Sequence, residues 1–429
     1  MHDSIAQRLA EARTRTFLLI DSLSDADLHV QHDPLMSPIA WDLGHIAHFE
    51  ELWLVRNLEG PVEFGEMPGI FNPFEHPRRV RGALTLPSLA ECRVLMAEIR
   101  GRVLEKLARV RFDTDDALVR GGYVYAMVLQ HEYQHDETIL QTLQLKQGLP
   151  YRPPRAFAAP NCSRVAKRGA MVRWGGGRVC IGTDDRTAAY DNERPSHGAN
   201  VAPFAIDVFP VTNGDFLEFM RDGGYERREW WSDAGWEWVR ESGCNAPKYW
   251  QRHGAEWCTR IMDDVSPVRS DLPVCHVSYH EGDAFARFAG KRLPTEIEWE
   301  LAAGWDTSES QMRVYPWGDA PAGPDRANID QLSFGVAPIG AYEHNWSPLG
   351  CYGMIGDVWE WTSSDFRGYP GYQTFPYAEY SEMFFGSEYK VLRGGSWATR
   401  AGAIRNSFRN WDFPIRRQVF SGFRCARDD

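Results

Sequence analysis

Closely spaced cysteine pairs are missing from this sequence. Its 429 residues include 8 cysteines, scattered along the chain with no CxxC spacing. Zinc knuckles and dithiol redox motifs need that spacing, so the sequence argues against both. In a reducing compartment we expect most of these cysteines to be free thiols.

Long apolar runs and an excess of positive charge are missing as well. No segment approaches the roughly 20 apolar residues of a membrane span. The N-terminal stretch mixes charged residues into its apolar positions, unlike a signal peptide. The net charge of −12 would repel nucleic acid and anionic membranes. We therefore expect a cytoplasmic protein, without nucleic-acid or membrane partners. No fixed-period repeat indicates a solenoid or propeller.

The patterns that are present divide the chain into two parts, as its length suggests. Residues 1–150 have apolar residues at every third or fourth position and predict an all-α, four-helix bundle. A Ser37-Pro38 pair is a suitable start for the second helix, because Ser37 can cap the free amides and proline suits the first turn. The four helical segments are expected at residues 5–23, 41–58, 89–107 and 124–145.

The proline-rich residues 151–170 are predicted to form a linker. Residues 171–429 contain most of the 17 tryptophans and many glycines, with short β-type runs between turns. They predict a compact α+β domain. Strands are expected in VRWGGGRVCIG, FAIDVFPVT, PVCHVSYH and YKVLRGGSW, and helices at 213–220, 279–288 and 295–303.

A candidate metal site lies in the last helix of the first part. In QHEYQHDE, His131 and His135 are four residues apart and share one helical face. The spacing is one residue longer than the HExxH motif of zinc proteases, which disfavours that class. His45 in WDLGHIAH is the favoured third ligand, with His48 and Glu137 as alternatives. Three imidazoles suit Fe(II), Zn(II), Ni(II) or Cu(II), and the residue types do not separate these metals.

The motifs together resemble one enzyme family, the ergothioneine-pathway sulfoxide synthases. These enzymes have a DinB-like helical domain followed by a formylglycine-generating-enzyme-like domain, which is itself similar to C-type lectins. The resemblance covers essentially the whole chain. Its N-terminal hallmarks are SPIAWDLGHIAHFEELWL, HPRRVR and QHEYQHDET, and its C-terminal hallmarks are LPTEIEWELAA, YPWGD, GMIGDVWEWTSS, VLRGGSW, RNWDFPIRRQ and SGFR.

The resemblance implies that His45, His131 and His135 bind Fe(II). It implies that Gln134 contacts the histidine-derived substrate. In FPYAEYS, Tyr377 is implied as the proton donor in the reaction with O2, and Tyr380 as a contact to the substrate imidazole through water. The same tyrosines could also be plain packing residues.

Further residues are implied in substrate binding. Asn410 and Trp411 are similar to family residues that lie near the trimethylammonium group, and aromatic faces suit such a cation. Arg78 and Arg81 are assigned to the carboxylates of a thiol substrate, which arginine pairs with bidentately. Asp412 is implied to meet the amino group of the same substrate, and Arg416 is a further implied substrate-binding residue.

The implied reaction is O2-dependent coupling of the sulfur of γ-glutamylcysteine to the imidazole C2 of hercynine, giving a sulfoxide. The enzyme is expected to act as a monomer, with its active site between the domains. The RNSFRNWD stretch lacks the catalytic cysteines of formylglycine-generating enzymes, which makes sulfatase maturation improbable. The alternatives are a synthase of the same architecture that uses cysteine or a selenium donor, a zinc-dependent thiol transferase, and a binding protein with structural zinc.

Overall fold

A computed structural model describes residues 1–58, 69–154 and 167–429 of the chain. The chain divides into two compact units: Met1–Pro154 with Asp185–Tyr190, and Arg155–Asp184 with Asp191–Asp429. Part of the predicted linker, with Cys162, lies outside the described residues, so the domain boundaries at 150 and 170 stay predictions. No helix in the described part of the chain is long and apolar enough to span a membrane.

The first unit is the expected helical bundle, in which the four long helices pack against one another. Short 3₁₀ turns occur at Gly69–Phe71, Arg78–Ala83 and Arg120–Gly122. The helices are α1 (His2–Ile20), α2 (Asp25–His29), α3 (Ile39–Glu51), α4 (Leu89–Leu107) and α5 (Tyr123–Gln144).

Helix α4 has the bounds that the apolar spacing predicts. It begins with a capping box, in which the Ser88 hydroxyl accepts a hydrogen bond from the Glu91 amide and the Glu91 carboxylate accepts one from the Ser88 amide. Its buried residues recur at intervals of three and four, as an amphipathic helix requires. They are Cys92, Met96, Ile99, Val103 and Leu107.

Helix α3 starts differently from the prediction. Pro38 is its N-cap residue, and no side chain caps the free amides. The Ser37 hydroxyl instead accepts a hydrogen bond from Arg81 Nη1 at 2.7 Å. The α-helix ends at Glu51 and continues as a π-helix over Leu52–Arg56. The expectation that Ser37 caps this helix was therefore wrong, because a tertiary contact occupies its hydroxyl.

The second unit is an α+β domain of small sheets, as expected. Its helices are α6 (Asn213–Arg221), α7 (Asp233–Ser242), α8 (Tyr279–Phe288) and α9 (Glu296–Gly304). Its strands are β1 (Met171–Trp174), β2 (Gly177–Ile181), β3 (His197–Val201), β4 (Phe204–Asp207), β5 (Trp250–His253), β6 (Glu256–Ile261), β7 (Asp264–Pro267), β8 (Trp305–Asp306), β9 (Gln311–Met312), β10 (Trp359–Asp365), β11 (Lys390–Arg393), β12 (Asn410–Asp412), β13 (Ser421–Gly422) and β14 (Ala426–Asp428).

The strands form separate sheets. The largest has the order β12-β11-β10-β13, with β10 and β13 parallel and the other pairs antiparallel. The others have the orders β1-β4-β14, β5-β6-β7, β2-β3 and β8-β9. The edge strand β12 of the largest sheet carries the NWD triplet, which the resemblance assigns to substrate binding.

Two parts of the second unit differ from the sequence prediction. The run PVCHVSYH forms no extended strand: Pro273 makes one isolated bridge to Thr212, and Ser278 caps α8 through the Glu281 amide. The strand predicted there was wrong, because local capping chemistry outweighs β propensity. The β5-β6-β7 meander and helix α7 were not predicted.

Buried ion pairs connect several of the sequence motifs of the second unit. Arg424 in SGFR pairs with Glu360 in VWEW at 2.7 Å. Arg409 in RNWD pairs with Glu296 in LPTEIEWE at 2.9 Å. Each of these side chains is at most 10% exposed. The motifs therefore hold the fold together, and breaking one pair would leave a buried charge uncompensated.

Candidate metal centre

Three histidine side chains converge inside the helical unit. His131 and His135 lie one turn apart on α5, and His45 lies on α3. The Nε2 atoms of His45 and His131 are 3.2 Å apart. One nitrogen from each of the three rings lies within 4.8 Å of the others. The structure thus brings together the three residues that the sequence analysis singled out.

A backbone carbonyl fixes the orientation of His45. Its Nδ1 lies 3.0 Å from the carbonyl oxygen of Phe71. A carbonyl only accepts hydrogen bonds, so Nδ1 carries the proton and Nε2 presents a lone pair. The turn at Phe71 comes this close because residue 44 is glycine: a Cβ on Gly44 would lie 2.1 Å from the Phe71 ring.

The other two rings are held by side chains. The Nδ1 atom of His135 lies 3.1 Å from Oδ1 of Asp42, a buried carboxylate in the first turn of α3. An ionised carboxylate only accepts hydrogen bonds, so the Nε2 atom of His135 also presents a lone pair. His131 stacks on Phe49 with ring centroids 3.6 Å apart and planes at 9°.

The surroundings keep two of the imidazoles neutral. Burial lowers the pKa of His45 and of His131 well below the ordinary histidine value, and the neighbouring histidines lower both further. Neutral imidazole is the form that binds a metal ion. At neutral pH these rings are therefore ready to act as ligands.

The donor set fits a divalent transition metal. Nitrogen lone pairs from three helical positions point into one small space, and outer hydrogen bonds orient two of the rings. Within the described residues, no fourth His, Cys, Asp or Glu joins the group. Catalytic metal sites commonly have three protein ligands and open positions for substrate, whereas structural zinc sites use four.

A buried ionic network holds α5 against its neighbours. Glu132, next to His131, accepts hydrogen bonds from Arg13 Nε at 2.8 Å and from the Thr16 hydroxyl at 2.9 Å. Arg13 also donates to Glu50 at 2.7 Å, and Arg100 donates to Glu50 at 2.6 Å. Burial would raise the pKa of Glu132, but Arg13 and Arg100 hold it below its usual value. The network fixes the rotation of α5 and hence the direction of its histidines.

The alternative ligands lie outside the histidine cluster. His48 is near Glu51, with Nδ1 3.7 Å from that carboxylate, and its ring packs on Phe71. Glu137 is buried, and it is not among the atoms that meet at the cluster. The geometry therefore favours His45 over both.

Arg81 lies beside the histidine cluster with little to neutralise it. Its guanidinium stacks on Trp41 at 3.4 Å, and Trp41 stacks on His45 at 4.7 Å. Burial and the neighbouring Arg78 charge together lower the pKa of Arg81 to about 9, so the group is still cationic at neutral pH. It forms no ion pair with a carboxylate of the described residues.

The other predicted substrate contacts of this unit lie near the surface. Arg78 is half-buried and donates to the Leu35 carbonyl at 3.4 Å. Gln134 lies between the two histidines of α5 and accepts a hydrogen bond from the Tyr190 hydroxyl at 3.1 Å. Both side chains are already in contact with protein groups, so a substrate would share or replace these bonds.

In the second unit, the predicted residues form an aromatic cluster around β12. Trp411 stacks on Phe366 with centroids 4.0 Å apart, and Tyr380 meets it edge-on at 5.7 Å. Tyr377 is 9% exposed and lies 6.3 Å from Tyr380. One face of Trp411 is thus covered by Phe366.

Polar groups accompany this cluster. The Asp412 carboxylate lies 3.3 Å from Arg416 Nε and also accepts the Phe413 amide at 2.8 Å. Arg416 is buried, and its Nη1 has no hydrogen-bond partner among the described residues. Asn410 accepts the amide of Trp411 at 2.9 Å. The structure brings these four predicted residues together on and directly after one strand.

Comparisons with known proteins match both units. Residues 8–139 match the DinB superfamily, and residues 156–429 match the sulfatase-modifying factor enzyme 1-like domain. The hercynine oxygenase of Mycobacterium tuberculosis is 44% identical, over 99% of this chain and 99% of that protein. The hercynine oxygenase of Mycolicibacterium thermoresistibile is also 44% identical, over 99% of this chain and 94% of that protein.

The chain belongs to the hercynine oxygenase family. It is therefore an oxygenase enzyme, which confirms the predicted resemblance and excludes a purely binding role. The formylglycine-generating enzyme of Thermomonospora curvata is 30% identical but covers 64% of this chain, so its likeness is confined to part of the length.

Sequence reasoning missed two residues that pack on the histidine cluster in this hercynine oxygenase family member. Asp42 hydrogen-bonds to His135, and Trp41 separates His45 from Arg81. A signal for Asp42 was present, because a residue three positions before His45 lies on the same helical face. Trp41 carried no such signal, since tryptophan is most often a packing residue.

We expect Gly44→Ala to destabilise the helical unit and weaken metal binding. The new methyl group would overlap the Phe71 ring, and overpacking of this kind costs about 1–3 kcal/mol. Denaturant unfolding of the metal-free protein measures the effect. The matched control is Gly101→Ala on α4, where a Cβ meets nothing within 4 Å and should be neutral or stabilising. Equal stability of both variants would contradict the prediction.

Proposed function

We propose that this enzyme joins the sulfur of γ-glutamylcysteine to C2 of the hercynine imidazole, using Fe(II) at His45, His131 and His135. The observation that carries the proposal is the open cluster of three imidazoles in a chain that matches hercynine oxygenases over 99% of its length. Each turnover consumes one O2. One oxygen atom enters the sulfoxide, and the other leaves as water with the hydrogens of the S–H and C2–H groups.

The metal would supply a redox centre at which thiol, imidazole and O2 react. The protein's own residues then bind and orient the substrates. Arg81 is a buried cation beside the cluster that lacks a carboxylate partner, which suits a carboxylate of the thiol substrate. Arg78, Asp412 and Arg416 complete the proposed contacts to this substrate. Asp412 would bind the amino group of the thiol substrate.

The contacts to hercynine are proposed residue by residue. Gln134 hydrogen-bonds to hercynine, and Trp411 with Asn410 receives the trimethylammonium group, which offers no N–H to donate and suits an aromatic face. Tyr380 contacts the imidazole through water. Tyr377 donates a proton during oxygen transfer, because a neutral phenol can give up a proton and be restored. We propose that the protein is cytoplasmic, since its free cysteines suit a reducing compartment. We also propose that it acts as a monomer.

The direct test is aerobic incubation of the iron-loaded protein with hercynine and γ-glutamylcysteine. We expect O2 uptake and a product whose mass equals both substrates plus one oxygen atom minus two hydrogen atoms. Competition with cysteine and with a selenol donor then ranks the sulfur and selenium sources. Turnover under anaerobic conditions, or none in air, would contradict the proposal.

Arg81→Met should raise the KM for γ-glutamylcysteine. A hydrogen bond to a charged group contributes about 1.5–3 kcal/mol, which corresponds to a KM roughly 10–100-fold higher. The KM for hercynine should change little. Arg79→Met is the matched control, because Arg79 is an exposed arginine two residues away in the same 3₁₀ turn. If Arg81→Met raised the KM for γ-glutamylcysteine and the KM for hercynine equally, Arg81 would support the structure of the site instead of binding the thiol substrate.

A further inference from the structure

Asp42 is a buried carboxylate with an incomplete set of partners. It is 1% exposed and lies in the first turn of α3, three residues before His45. Its Oδ1 is 3.1 Å from Nδ1 of His135. Its Oδ2 is buried and has no hydrogen-bond partner among the described residues. A buried carboxylate oxygen without a partner is costly, so its presence calls for an explanation, and a role at a site is one of them.

We propose that Asp42 is a positioning residue for the metal centre and acts through His135. The hydrogen bond places the proton of His135 on Nδ1, so that Nε2 faces His45 and His131. The negative charge of the carboxylate makes the ring a stronger electron donor. The inference rests on the metal site of the proposed function and is independent of which substrates are used.

The surroundings of Asp42 leave the His135 ring as its side-chain hydrogen-bond partner among the described residues. The first turn of α3 presents free backbone amides, which stabilise a negative charge. The charge of Arg81 interacts with Asp42 without a hydrogen bond between the two side chains. No Lys or Arg side chain of the described residues forms an ion pair with Asp42. The charge is therefore directed at the imidazole.

The three histidines are held in different ways. Asp42 is the side chain whose replacement tests the effect of such support most directly. His45 is oriented by the backbone carbonyl of Phe71, which no substitution removes. His131 is held by stacking on Phe49. His135 is the more exposed ligand, with a side chain 17% exposed, and the structure gives it one hydrogen bond to a side chain. Without Asp42, its ring could rotate or change tautomer.

The test measures metal affinity and needs no turnover. Metal-free wild type, Asp42→Asn and Asp42→Ala are titrated with Co(II) against a coloured chelator under anaerobic conditions. We expect Asp42→Ala to bind Co(II) about 10–100-fold more weakly, the usual loss for an outer-shell partner. Asp42→Asn should lie between, because its amide oxygen can still accept the hydrogen bond but carries no charge. Asparagine is close in size to aspartate, so the Asp42→Asn variant tests the inference even if the alanine variant folds poorly.

Asp27→Asn is the matched control. Asp27 also has its carboxylate in the first turn of a helix, and that carboxylate is bonded to Ser24 and Lys146 rather than to a histidine side chain. This change should lower the melting temperature of the metal-free protein and leave Co(II) affinity within about threefold of wild type. If the Co(II) affinity of Asp42→Ala were within threefold of wild type, this inference would be overturned and the proposed metal site would stand. A wild type that binds no Co(II) would overturn the metal site as well.

Discussion

Replacing His135 by alanine is expected to abolish turnover and to weaken metal binding more than 100-fold. Two nitrogen ligands would remain, and losing a ligand should cost more than the roughly 10–100-fold typical of an outer-shell partner. The fold should survive, because the side chain is partly exposed and lies outside the buried network of Arg13, Glu50 and Glu132. Iron content after reconstitution and O2 uptake measure the two effects.

His48→Ala is the control for this prediction. His48 is three residues from His45 on the same helix, and it lies outside the cluster. It should keep one equivalent of iron and most of the activity, whereas His45→Ala should behave like His135→Ala. If His48→Ala loses the metal while His45→Ala retains it, the ligand assignment is wrong.

Tyr377→Phe should change the product more than the rate of O2 consumption. Without the phenol proton, oxygen transfer to the thiol substrate should compete with coupling and yield a sulfinate. A positioned proton donor contributes about 10²–10⁴-fold, so the ratio of coupled product to sulfinate should fall at least about tenfold. Product masses and O2 uptake, measured in the same reaction, give both quantities.

Tyr380→Phe is the matched control, because the two rings are neighbours in one cluster. It should weaken hercynine binding without a comparable rise in sulfinate. An unchanged product ratio in Tyr377→Phe would remove its role as proton donor. Because the outcome is a ratio within one enzyme, partial loss of folded protein cannot imitate it.

In the second unit, some residues of the sequence motifs stabilise the fold and others are proposed to contact substrate. Arg424 of SGFR pairs with Glu360 of VWEW, and Arg409 of RNWD pairs with Glu296 of LPTEIEWE, in the core. These paired side chains explain why the motifs identify the domain, and they carry no information about the reaction. The proposed substrate contacts lie beside them and include Trp411 and Asp412, which follow Arg409 in the RNWD motif.

Local spacing in the sequence was sufficient for the helical bundle and for two of the three clustered histidines. Apolar residues at every third or fourth position fix which face of a helix is buried, so α4 has the predicted bounds. His131 and His135 share a face for the same geometric reason. Short β-type runs were less reliable, since PVCHVSYH became a capped helix start rather than a strand.

Only the tertiary structure decided which residues join that pair. His45 and His48 lie three residues apart on nearly the same face of α3, so sequence spacing could not separate them. The rotation of α3 against α5 separates them, and the buried network through Glu50 and Glu132 sets that rotation. The same rotation brings Asp42 to His135. Helical periodicity is local, whereas the meeting of two helices depends on long-range packing that no short motif contains.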